Sequence, residues 1–224
     1  MLSVAAACAT APTAGPRGAG VDQVPMYGGM NRQSLPEVNK GDEQLIAGAT
    51  KEFGTREKAS AAFVDQGIRY YSVDNHAAAM RRFNQAWLLS PGNPEVFWGF
   101  AMIFHDEGKN CEAQQYIDRA LALNLSKAVA LADAGRIYTL CAVSDASFDS
   151  STKVQRFEAS EKLYTRANSE SPRNDYVIGS WATAYYWRGE YALAWEKVAE
   201  ARSLGHVFPG QFLSLLRSKM AEPK

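Results

Sequence analysis

Apolar side chains in this chain recur three and four residues apart, the spacing that places them on one face of a helix. Between residues 37 and 53 the stripe is Val38, Leu45, Ile46, Ala49 and Phe53. From residue 60 the same period returns in paired segments, the first pair carrying Phe63, Gly67 and Tyr70, then Ala79, Phe83 and Ala86. Short polar turns divide the members of a pair at residues 73–76, 107–110 and 188–190, and Pro-Asn segments at 90–94 and 171–174 divide one pair from the next. Residues 9–36 differ: Gly, Pro, Ala and Thr dominate, a composition that buries too little to offset its ordering entropy. This stretch reads as a flexible tether, except that Val24, Met26, Tyr27 and Met30 around Gly28 and Gly29 predict partial docking on the folded body. The pattern as a whole predicts an all-α protein.

The paired segments repeat. A shift of 34 residues carries the first pair onto Phe97, Ala101, Phe104, Ala113, Ile117 and Ala120. A third copy begins at Leu131, Gly135 and Tyr138 and ends at Ser160, Tyr164, Ala167 and Pro172; a fourth is Ile178, Ala182, Tyr185, Ala194, Val198 and Ala201. Small residues at Gly67, Ala79 and Ala86 are expected where two helices approach most closely, with the aromatic residues Phe63, Tyr70 and Phe83 filling gaps toward the next pair. These residues resemble the tetratricopeptide signature over roughly residues 60–208. The resemblance implies a right-handed α-solenoid of about four helical hairpins, at 60–93, 94–127, 128–174 and 175–208, preceded by a helix and connection at 37–59. The open end of such a stack needs a cover, and residues 209–224, with Phe212, Leu215 and Leu216, read as a capping helix and tail.

The third copy is longer. Tyr138 to Ser160 covers 22 positions where Tyr70 to Ala79 covers 9, so about 13 residues are inserted near 142–154. Oxygen side chains alternate from Asp145 to Ser151, as in a calcium loop, but Ser150 stands where that loop needs glycine and Arg156 where it needs a bidentate acid. A longer loop, or a second helix starting early near Ser151, is the expectation.

At the N-terminus, Leu2, Ser3, Val4, Ala5, Ala6 and Ala7 run into Cys8, after which the tether begins. Residues 1–8 resemble the end of a bacterial lipoprotein signal peptide, which implies that Cys8 is the lipidation site. The run lacks a preceding Lys or Arg and is shorter than the roughly 7 to 15 residues of a full apolar region; a start site upstream of Met1 or a truncated chain would explain both, and the alternative is a disordered Ala-rich leader with an incidental Cys. Ala9 and Thr10 follow Cys8 without the Asp that favours inner-membrane retention in that family, so the resemblance implies an outer-membrane lipoprotein of the bacterial envelope facing the periplasm. Nothing approaches the roughly 18 apolar residues of a membrane span, so any membrane attachment is expected through the lipid alone. Lys plus Arg balance Asp plus Glu at 24 each, which leaves no field to draw in nucleic acid.

Candidate chemistry is sparse. His76, His105 and His206 are far apart and none stands at metal-ligand spacing from another His or a Cys. No phosphate loop, nucleophile elbow or paired carboxylates in an apolar segment occur, so no enzyme activity, cofactor or metal is expected. Cys111 opens the second helix of the second copy and Cys141 closes the first helix of the third. In a tetratricopeptide stack those helices are antiparallel neighbours, which makes a disulfide one reading and two buried thiols the other. A bridge closing about 29 residues would contribute on the order of 3 kcal/mol.

The same resemblance implies that the first helix of each hairpin lines a concave groove. Its ligand-facing positions are Val64, Ile68 and Tyr71, then Trp98, Met102 and His105, then Arg136, then Thr183, Tyr186 and Trp187. An aromatic, lightly charged groove suits an unidentified protein or peptide segment; the alternative is that the N-terminal segment around Tyr27 covers it. The function expected is therefore a non-catalytic adaptor or scaffold. Assembly factor of a secretion or pilus machine, and self-associating structural module, are the alternatives.

Overall fold

Asparagine, aspartate and threonine punctuate the chain where helices begin. Thr55, Asn75, Asn93, Asp149 and Asn174 each accept a hydrogen bond from a backbone N–H of the turn that follows, satisfying donors that a helix start leaves orphaned. Pro36 and Pro94 occupy first-turn positions, where their missing N–H costs nothing. Gly189 ends its helix at φ 80°, a left-handed conformation that a side chain would strain. The computed structural model describes residues 20–224, and among these it holds ten α-helices and no strand. They are α1 (Pro36–Phe53), α2 (Arg56–Tyr71), α3 (His76–Leu89), α4 (Pro94–Asp106), α5 (Asn110–Ala122), α6 (Ala128–Ser144), α7 (Ser150–Glu170), α8 (Asp175–Arg188), α9 (Tyr191–Ser203) and α10 (Gly210–Lys219). The protein is all-α, and it divides into two compact units between Pro91 and Gly92.

In the first unit α2 packs along α3, and α1 closes over them through Leu45, Ile46, Ala49 and Phe53 against Ala59, Phe63 and Leu89. Arg56 of α2 donates to the carbonyls of Leu88 and Leu89, capping the C-terminal end of α3. Residues 21–34 form three short 3-10 turns, at Val21–Gln23, Pro25–Gly29 and Arg32–Ser34, that lie on α3 and α1. Asn84, fully buried on α3, holds them: its Oδ1 accepts from the Tyr27 N–H at 3.0 Å, and its Nδ2 donates to the carbonyls of Asp22 and Val24. Arg32 lies 3.6 Å over the Tyr27 ring and forks onto Asp42 of α1 at 2.7 and 2.6 Å. This strap is fixed by specific bonds over the part of the tether that the structure describes.

The second unit contains three further pairs, α4 with α5, α6 with α7 and α8 with α9, and ends in α10. The inserted residues do not make a long loop. They lengthen both members of the third pair, so α6 has 17 residues and α7 has 21, against 13 for α5 and α9. Asp149 starts α7 by capping the Thr152 N–H, and Asp145 accepts from Ser147; these two acids of the alternating segment are turn and cap residues.

Glycine marks two of the closest helix contacts. A Cβ on Gly67 would sit 2.4 Å from the Phe83 ring, and one on Gly135 would sit 2.7 Å from the Tyr164 ring. Phe83 thus fills space inside its own hairpin, and Tyr70, also expected to fill a gap, is 37% exposed.

Candidate functional site

α6 carries one acid in the middle of an apolar run, Asp133 between Ala132 and Ala134, and it is 2% exposed. A buried carboxylate persists only when donors surround it, and three elements supply them. Trp98 of α4 donates its Nε1–H to Oδ2 at 3.0 Å. Arg136, one turn along α6, donates Nη2 to Oδ1 at 2.9 Å, and Tyr176 of α8 donates its hydroxyl to the same oxygen. Burial, and next the charge of Asp133, hold the Tyr176 phenol well above its ordinary range, so it remains a donor at all physiological pH. Asp133 therefore staples α4, α6 and α8 together, with the Arg136 side chain 26% exposed.

His105 flanks this strip at the end of α4, with Nδ1 2.7 Å from Asn110 Oδ1. Its pKa is lowered, first by burial and then by the charge of Arg136, against the opposing hydrogen bond to Asn110 and the charges of Asp106 and Asp133. Below the strip, Tyr164 of α7 is fully buried, and its hydroxyl bonds to both oxygens of Ser180 on α8.

A second carboxylate, Glu161 of α7, gathers Tyr185 OH at 2.8 Å, Arg188 Nη1 at 2.8 Å and Trp181 Nε1 at 3.2 Å. Lys197 of α9 covers the Trp181 ring at 4.4 Å. Opposite charge and aromatic faces again bind three helices, here α7, α8 and α9.

The expected groove residues divide into packed and open ones. Val64 is fully buried, and Trp98 and Met102 are each 5% exposed, so these three are packing residues and not open surface. Trp98 is drawn in by its bond to Asp133. Tyr186 is half-buried and meets Phe212 of α10 edge-on at 5.7 Å and Tyr191 at 6.0 Å, so the cap covers part of it. Thr183 donates its hydroxyl to the Ser180 carbonyl. Trp187 is open at 50% exposure. In the first unit Ile68 is half-buried and Tyr71 stacks on His76 at 5.5 Å. The strap docks on α3 and α1 through Asn84 and Asp42.

Cys111 and Cys141 form a disulfide, with Cα atoms 4.7 Å apart, joining the start of α5 to the last turn of α6. Cys8 lies outside the described residues. Among the described residues no three His, Cys, Asp or Glu side chains gather as a metal site requires, and no helix is long and apolar enough to cross a membrane.

Asp133 and Tyr176, the centre and the far donor of the strip, did not emerge from repeat registration, because neither is a signature position. The available signal was the lone acid inside the apolar run of α6. Comparison with protein-family models gives no match to this chain, and comparison with curated proteins gives none.

Proposed function

We propose that this chain is a tetratricopeptide-type right-handed α-solenoid that binds a polypeptide segment on the face of its first helices and carries out no catalysis itself. The observation that carries this reading is the strip on α4, α6 and α8, which are the first helices of three successive pairs: Asp133 locks Trp98, Arg136 and Tyr176 in place, and Arg136 keeps about a quarter of its side chain, 26%, exposed to solvent. A preorganised Arg side chain binds a partner at low entropic cost, and Trp98, itself packed, serves to position it through Asp133. Repeat-equivalent positions also support it: Gly67, Ala101, Gly135 and Ala182 are buried, and so are Phe83, Ile117, Tyr164 and Val198. Envelope localisation with Cys8 as lipid acceptor belongs to the same proposal, supported by the disulfide, which persists in oxidising compartments.

The test is a crosslinking pull-down from native envelopes, comparing wild type with Arg136→Gln plus Trp187→Ala. Both positions retain solvent exposure, unlike Trp98. A partner lost in this variant but kept by Arg119→Ala on α5 supports the reading, and an identical catch from all three moves function off this face. Palmitate labelling lost in Cys8→Ser tests the anchor separately.

A further inference from the structure

The α2/α3 pair holds a cleft of about 160 Å³ lined by Tyr70, Ala78, Arg81, Arg82 and Gln85. Ala78 lies three and four residues before the two arginines, hence on their side of α3, and its methyl leaves the space that their side chains border. Arg82 is held in place: Nη1 donates to Gln85 Oε1 at 2.8 Å, and its guanidinium lies 5.3 Å over the Phe63 ring. With that oxygen engaged, Gln85 offers its amide N–H groups, and the 37%-exposed Tyr70 offers a hydroxyl. No carboxylate lines the cleft. One acid reaches toward it, Asp22 of the strap, whose Oδ2 is 3.6 Å from Arg81 Nη1 with both side chains 40% or more exposed. Such a pair is weak, so the lining carries two positive charges and several donors with little to neutralise them.

We propose that this cleft binds a phosphate group, either as the free ion or as the phosphomonoester end of a small molecule or lipid headgroup. Guanidinium forks match tetrahedral oxyanions, and a cleft of this volume has room for one phosphate group. Asp22 is a tethered competitor, because Asn84 fixes the strap backbone that carries it.

The experiment titrates inorganic phosphate into the full chain at constant ionic strength, following the arginine Nε–H resonances. A saturable response is expected at millimolar phosphate. Arg81→Gln plus Arg82→Gln should weaken it at least about tenfold, and Arg81→Gln alone, at an exposed position, should weaken it severalfold. Asp22→Asn should tighten binding up to about fivefold, the range that a weak surface pair allows. Co-sedimentation with phosphatidic acid vesicles but not phosphatidylcholine vesicles would identify a headgroup as the source; phosphate binding without sedimentation would identify a soluble phosphate, free or esterified. A linear response, or one unchanged in the double variant, overturns the proposal.

Discussion

Two hairpins place an aromatic ring on glycine, and two place an aliphatic side chain where an alanine stands. Gly67 meets Phe83 in α2/α3 and Gly135 meets Tyr164 in α6/α7. The equivalent positions are Ala101 and Ile117 in α4/α5, and Ala182 and Val198 in α8/α9, all fully buried. What is preserved from hairpin to hairpin is thus the combined volume of two facing positions. A close-packed interior enforces this, because a gap and an overlap both cost stability.

The largest perturbation should come from emptying a ring site. Tyr164→Ala is expected to cost about 3–5 kcal/mol in denaturant unfolding, and it also strips the Ser180 hydroxyl of its partner. Reducing the Cys111–Cys141 bridge, which ties an alanine hairpin to a glycine hairpin, should lower stability by about 3 kcal/mol; double replacement by alanine should lose a similar amount and make the protein insensitive to reductant. Gly67→Ala and Gly135→Ala should each cost about 1–3 kcal/mol although alanine is the better helix former; a neutral result at both would break the comparison. Ile117→Phe should cost about as much, and adding Ala101→Gly should restore at least about 1 kcal/mol of it, a coupling that a double-mutant cycle reads directly.

The smallest effect concerns pH. Because burial and Arg136 lower the His105 pKa in the folded state, the unfolded chain takes up a proton first as pH falls below the ordinary value of 6.5. His105 therefore contributes stability that is complete above that value and is lost as pH drops through the folded pKa. His105→Gln should flatten the stability profile in that window.

The helices were legible because period and punctuation agree. The 37–53 stripe became α1, and Asn75, Asn93 and Asn174 cap helices where turns were read. The strip around Asp133 was not legible, since it depends on which side chains of three separate helices converge, and registration assigns facing positions without the polar contacts that draw some of them inward. Trp98 shows the cost: its position matched a groove, but a buried acid one helix away drew it inward. Asn84 likewise carried no signal in the sequence, although its three bonds to backbone atoms fix the strap.

Helical pairs of similar length and apolar pattern invite mispairing while a chain folds. The elongated α6/α7 pair breaks that degeneracy. At 1.5 Å of rise per residue, α7 outreaches α5 and α9 by about 12 Å, and its first ten residues keep partial or full solvent exposure. The extra turns make one pair of helices different in length from the others of its unit.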